Sequence, residues 1–360
     1  VNTTIFLAMK NLLLILSLTS LLALRCSGQE KQYRVRTVAF YNLENLFDTI
    51  DAPDRFDEDF TPSGRYRWDT ARYWAKIERL AEVISEIGKP TRGGPPDILG
   101  VCEAENATVL TDLVNHELLR SYDYKFLHRD GPDERGIDVG LLYREDAFQP
   151  LSVKWQPLMF RSEKRFWEHT REQLVVHGYM DGQPLYLIVN HWPSRRGGEL
   201  RSRPFRVAAA ELNLFIIDSL KAISPEPALI AMGDFNDNPS DYALREVLKI
   251  KNDSAGISNT ALYSPMGAMF KTGLGSLAYR DSWSLFDQIY TSGNLVNGME
   301  ALQLWKAGIH DSPGLTERRG VQKGYPLRTF TSGRYTGGYS DHFPVYAHFI
   351  MEVGVLLGDH

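Results

Sequence analysis

Cysteine is nearly absent: Cys26 and Cys102 are the only two in 360 residues. That excludes a disulfide scaffold, and neither zinc binding nor thiol catalysis has the spacing it needs. No excess of positive charge exists either. Lys and Arg total 40 against 45 Asp and Glu, a formal charge of -5, so any polyanion site must be a local patch. No apolar run reaches the roughly 20 residues of a membrane-spanning helix. No Gly-x-Ser-x-Gly elbow offers a serine nucleophile. Gly273-Leu274-Gly275 lacks the strand-loop-helix setting of a nucleotide loop. Internal repeats, low-complexity linkers and composition shifts are missing too, so nothing marks a domain boundary after the leader. What is present, 43% hydrophobic and 24% charged residues, is ordinary material for a globule with a sizeable core.

Leu12 to Leu24 is an unbroken run of Leu, Ile, Ala, Ser and Thr behind Lys10 and Asn11. It reads as the apolar region of a signal peptide spanning 1–28, with Met9 as the true start and cleavage near Cys26-Ser27-Gly28. Export to the periplasm, cell surface or medium is therefore expected. Leu22-Ala23-Leu24-Arg25-Cys26 also resembles a lipoprotein box, with Arg25 against it; lipidation at Cys26 is the one route to a membrane. Residues 29–360 read as a single domain, expected to be a monomer with no protein partner.

Short runs rich in β-branched and aromatic residues predict strands at 35–41, 98–102, 139–143, 174–179, 185–189, 228–232, 286–290 and 345–350. Helical spacing of Trp74, Ile77, Leu80, Ala81, Ile84 and Ile87 predicts a helix over 70–87, with Asp69 as its cap and Gly88 as its stop. A second helix is expected over 204–220, with Pro204 in its first turn. Strands outnumber helices and often follow one another, which points to mixed or antiparallel sheets. The stretches 51–67 and 252–281 carry no pattern, and long ordered loops are usually functional rims.

Six segments share one design, an apolar strand followed at once by a side chain able to bind metal or phosphate. They end in Asn42, Glu103, His191, Asp234 with Asn236, Asp287, and Asp341 with His342. Singly, each is an ordinary turn residue. Together, Gly233-Asp234-Phe235-Asn236 and Ser340-Asp341-His342-Phe343-Pro344 in this order resemble the endonuclease/exonuclease/phosphatase superfamily, over about 34–349. The likeness is to its secreted bacterial members. It implies an α/β four-layer sandwich, two packed mixed β-sheets flanked by helices, with the site at one end of the sheets.

Chemistry gives the same destination. Water attacks an anionic phosphodiester only when a cation neutralises developing charge, a base takes a proton and the leaving oxygen is assisted. Carboxylates without cysteines suit Mg2+ or Mn2+. By resemblance, Glu103 ligates the metal, helped by Asp341 and Asn42. Asp234 orients or deprotonates the water, and Asn236 donates to phosphate. Asp287 and His342 form a carboxylate–histidine pair whose imidazole is base, acid or charge stabiliser. His191 contacts the phosphate, with Asp138 as its carboxylate partner.

Substrate binding is expected at Arg195 and Arg196, extended by Arg201, Arg203 and Arg206. A second group is Arg161, Lys164, Arg165 and Arg171, interleaved with Phe166 and Trp167. The expected function is a divalent-metal-dependent nuclease acting on DNA or RNA. The alternatives are a phospholipid or sugar-phosphate phosphodiesterase of the same fold, and a non-catalytic surface binding protein.

Overall fold

A computed structural model describes residues 31–161, 167–298 and 301–353. The leader at 1–28 with Met9 and Cys26, and Lys164, Arg165 and Phe166, lie outside the described residues, as do the side chains of Arg161 and Trp167. The chain divides into two units. In the terminal unit, exposed Lys31 pairs with Glu352 at 2.8 Å. The unit Val35–Met351 carries the architecture.

Sixteen strands are described. They are β1 Gln32–Leu46, β2 Ile98–Ala104, β3 Tyr124–His128, β4 Asp138–Arg144, β5 Phe148–Arg161, β6 Trp167–Met180, β7 Gln183–His191 and β8 Leu229–Asp234. There follow β9 Leu262–Tyr263, β10 Leu277–Tyr279, β11 Ser282–Ser284, β12 Asp287–Ser292, β13 Leu302–Ile309, β14 Phe330–Thr331, β15 Arg334–Tyr335 and β16 Val345–Val353. One six-stranded sheet has the order β13-β16-β1-β2-β4-β3 and the other β5-β6-β7-β8-β12-β9. Both are mixed: β1–β2 and β7–β8 run parallel, while β2–β4 and β8–β12 run antiparallel.

Strand alternation builds the layers. Val38 and Phe40 of β1 face Val189, Ile230 and Met232 of the other sheet, whereas Ala39 and Tyr41 point away onto Ile77, Leu80 and Ile84 of the helix Thr70–Glu86. In the second sheet, Ile188 and Ala231 turn outward onto Ala209, Ala210 and Ile217 of the helix Glu199–Ile223. Sheets covered on both faces read as continuous apolar runs, which is why the central strands were visible in the sequence. The result is helix, sheet, sheet, helix: the expected four-layer sandwich.

Asp69 caps the first helix by accepting from Arg72 N at 3.0 Å, and Gly88 follows its end in the left-handed region at φ 84°. Two helical expectations need correction. Trp74 is 47% exposed, and the buried positions beside it are Tyr73 and Lys76. The second helix begins five residues early, at Glu199, so Pro204 lies inside it. Gly198, at φ 108°, sets the start instead.

The sheets meet closely at Gly100, where a Cβ would lie 2.6 Å from Met232 Sδ and 3.2 Å from the Phe40 ring. Gly100→Val is expected to cost about 1–3 kcal/mol by overpacking. Urea unfolding measures the loss, and an unchanged midpoint would contradict this close approach.

Candidate active site

Strand register gathers the polar residues at one end of both sheets. Asn42 pairs with Cys102 beside Glu103, and Ala104 with Asp138. In the second sheet His191 pairs with Asp234, and Asp234 with Asp287. Register shifts fall at Asn42/Leu46 and Cys102/Ala104, where Glu44, Asn45 and Glu103 sit at φ 50°, 52° and 61°. Asn236 is also left-handed, at φ 50°. Such bulges re-aim side chains that regular pleating would bury on a sheet face.

Across the two sheets, the Asn42 amide nitrogen donates to Glu103 Oε1 at 3.4 Å and to Asp234 Oδ2 at 3.2 Å. Its oxygen already accepts Glu44 N–H at 2.9 Å. Asn42 thus presents a donor to the two carboxylates and turns its oxygen to the Glu44 amide. Glu103 Oε2 accepts Asn45 N–H at 2.8 Å, leaving Oε1 turned to the rim. His191 Nε2 lies 3.8 Å from both Glu103 and Asp234. Asp234 Oδ1 accepts Asn236 N–H at 3.0 Å, and the Asn236 amide nitrogen donates to Trp192 O at 3.0 Å, keeping one N–H spare.

His342 Nδ1 is 2.6 Å from Asp287 Oδ2, as expected of the pair. Asp234, Asp287 and His342, all buried, offer one ligand-type atom each within 4.8 Å of one another. Asp341 Oδ1 is 3.9 Å from His342 Nε2, and its Oδ2 pairs with Arg328 at 2.5 Å. Ser340 Oγ fixes this last loop by donating to Asn42 O at 2.8 Å and accepting His342 N–H at 3.1 Å.

Electrostatics separate the two histidines. Burial alone would lower the His342 pKa, but the charges of Asp287 and Asp341 outweigh it and hold the ring well above the ordinary value. Burial drives His191 well below the ordinary value, and the cations Arg171 and Arg135 add to the effect. The first environment favours the protonated ring and the second the neutral one. Burial also pushes the Asp234 carboxyl up to about 7, with His342 pulling against it.

Other expectations fail for identifiable reasons. His191 Nδ1 is buried with no hydrogen-bond partner, so the Asp138–His191 pair is not made. Asp138 instead accepts Gly131 N–H at 2.8 Å, and burial raises its pKa to about 7. Arg195 is consumed internally: it donates to Asn236 O at 2.8 Å, pairs with Asp237 and Asp241, and lies over the Phe286 ring. Arg206 is fully buried against Asp237 at 2.6 Å, Arg203 pairs with Glu199, and Arg171 pairs with Asp133 at 2.9 Å. Of the residues expected to bind substrate, Arg196 and Arg201 are exposed.

Three residues were missed. Glu44 is buried between Lys76 Nζ at 3.6 Å and Arg328 Nε at 3.4 Å, and accepts Thr329 N–H at 2.7 Å. Lys76, 1% exposed, donates to Thr329 Oγ1 at 2.7 Å and Tyr339 O at 2.6 Å. Its signal was available, because a lysine on the apolar face of a helix needs a buried acceptor.

A family model described as "Endonuclease/Exonuclease/phosphatase family" matches residues 37–351. The chain belongs to that family. Membership makes it a divalent-metal-dependent phosphoester hydrolase. Similar solved structures include humanized D. rerio TDP2 carrying 14 mutations, 15% identical over 88% of this chain and 98% of that one, at a TM-score of 0.53. D. rerio TDP2 complexed with single-strand DNA product gives the same identity, coverage and score. A Bacteroides vulgatus endonuclease/exonuclease/phosphatase is 16% identical over 89% and 100% of the two chains, at 0.51. These identities speak for the fold alone. No curated protein matches the chain.

For this family member the donors fit a hard divalent ion: carboxylate oxygens at the rim and no thiolate within it. Asp287→Asn is expected to drop the His342 pKa, because burial remains while its main counter-charge is gone. A titration of the imidazole nitrogens by NMR reads this directly, and an unmoved pKa would contradict the pairing.

Proposed function

We propose that the protein is an exported nuclease that hydrolyses phosphodiester bonds of DNA or RNA with magnesium or manganese. The observation that carries the reading is the pairing of His342 with Asp287, set among Asp234, Asp341, Asn42 and Glu103. A phosphodiester needs this combination of fixed positive charge, proton acceptor and hard-oxygen donors.

Glu103 and Asp341 would hold the ion, which would supply positive charge to the phosphoryl oxygens. Asn42 orients the carboxylates of Glu103 and Asp234 through its amide nitrogen. Asp234 orients the attacking water and accepts its proton. Asn236 directs its remaining N–H to a phosphoryl oxygen. His342 keeps its Nδ1 proton on Asp287 and presents Nε2–H to the developing negative charge. His191, being neutral, donates or accepts one hydrogen bond at the phosphate. Asp138 supports the rim through Gly131, and Arg195 shapes the turn carrying Asn236, leaving Arg196 to meet the polyanion. Export rests on the composition of residues 12–24, and nucleic acid is also the ligand of the D. rerio TDP2 structure solved with single-strand DNA product.

Purified protein offered plasmid DNA, RNA, a sphingolipid and a small bis-phosphoester, with magnesium and with EDTA, tests the reading. Nucleic acid is expected to be cut, EDTA to abolish cutting, and His342→Ala to lose about 10²-fold or more in kcat while remaining folded. Cleavage of lipid alone would overturn the nuclease assignment. The acid limb of the kcat/KM profile is expected to fall below about pH 7, as Asp234 becomes protonated and can no longer accept a proton.

A further inference from the structure

The patternless stretch 51–67 has no part in the chemistry above, yet it is tightly built. Trp68 N–H donates to Thr61 O at 2.9 Å, Tyr66 N–H to Asp59 O at 3.0 Å, and the Trp68 indole to Phe47 O at 3.0 Å. A Cβ at Gly64 would lie 2.1 Å from Glu58 O, so only glycine closes this turn. Arg72 of the following helix donates to the carbonyls of Tyr66 and Arg67. Opposite stands the hairpin β14–β15, whose two-residue turn Ser332-Gly333 has φ 51° and 77°, the geometry of a tight type I′ connection.

Rings from the two elements meet. Tyr66 and Phe330 have centroids 4.6 Å apart, Phe60 lies 4.8 Å from Tyr66, and Trp68 lies 5.9 Å from Phe330. Phe60, Tyr66 and Phe330 remain half-buried. Between loop and hairpin opens a cleft of about 230 Å³. Aromatic rings wall it, and Glu44, Asn45 and Arg328 line it as well. Glu44 and Arg328 are the residues that link it to the candidate active site, through Asp341.

We infer that this cleft is a subsite for one nucleobase flanking the scissile phosphate, an inference that rests on the nuclease reading. Three features favour a base. The volume falls below the roughly 300–1000 Å³ of pockets that enclose drug-sized ligands, which suits a single ring and not a lipid tail. The rings supply faces or edges on which any base can stack without regard to sequence. Arg328, Asn45 and Ser332 add donors at the margin for ring nitrogens and carbonyls. Because loop and hairpin are pinned by their own hydrogen bonds, the walls are formed before the ligand arrives, and little ordering cost offsets binding.

The test compares a short single-stranded DNA with the same strand carrying tetrahydrofuran abasic residues. Hydrolysis is read as kcat/KM with magnesium, and binding as fluorescence anisotropy in EDTA. The wild type is expected to prefer the base-bearing strand about 10- to 100-fold in each readout, the size of one base–aromatic stack. The preference should collapse toward one in Tyr66→Ala and Phe330→Ala and survive in Tyr66→Phe. Phe330→Leu replaces the alanine variant if circular dichroism shows that the latter fails to fold.

Equal treatment of both strands by the wild type, or an equal loss on both strands in the variants, would overturn the subsite. Cutting of both strands without preference removes the subsite and leaves the nuclease reading standing. Preferential binding of the base-bearing strand without cutting removes the nuclease reading and with it a subsite beside a scissile phosphate, leaving the cleft as a base-binding site alone. Hydrolysis of lipid or sugar-phosphate esters, with neither strand bound, removes both.

Discussion

Crowded negative charge is the constraint on which this molecule depends. Glu44, Glu103, Asp234, Asp287 and Asp341 come from four strands and a loop to one rim, several of them buried. Unpaired, such charges would cost several kcal/mol each to desolvate. The fold answers with cations placed from behind: Lys76 from a helix, Arg328 from the segment before the hairpin, and His342 from the last loop. Left-handed backbone at Glu44, Asn45, Glu103 and Asn236 is part of the same arrangement, at about 1–3 kcal/mol per strained residue. Such strain persists only where the surroundings over-determine it. Here the hydrogen bonds of Asn42, Asn45 and Asp234 do so.

Balance of charge also gives two chemically identical side chains different uses. His342 and His191 both sit at the rim near carboxylates, but the charges of Asp287 and Asp341 outweigh burial at the first, whereas burial, with Arg171 and Arg135, prevails at the second. A site that needs a fixed cation and a neutral imidazole obtains both without any difference in residue type.

Much of this was legible because strand ends are local events. An apolar run that stops at Asp234, Glu103 or His191 announces its polar residue in the sequence, and the two-sheet sandwich makes those stops coincide in space. The Asp287–His342 pair followed from the same logic. The arginines after His191 misled, because glycine-rich spacing cannot reveal that Asp237 and Asp241 stand 42 and 46 residues beyond Arg195, ready to absorb it. Asp138 misled for a related reason: the nearby Gly131 amide satisfied it locally before a distant imidazole could. Arg328 was missed because its partner Glu44 belongs to a bulge, which has no periodic signature, whereas Lys76 stood on the buried face of the first helix and could have been found.

The bond from Ser340 to the carbonyl of Asn42 joins positions 298 apart in the chain. The first strand of the rim and the loop of Ser340 therefore close on each other only once the chain between them is in place. Contacts of such long sequence separation form slowly, since loop entropy is lost before they reward it. A chain that stops short of Ser340 carries Asn42, Glu103, Asp234 and Asp287 without the histidine that pairs with Asp287. Assembly of the rim is thus coupled to docking of the loop Ser340–His342 onto the first strand.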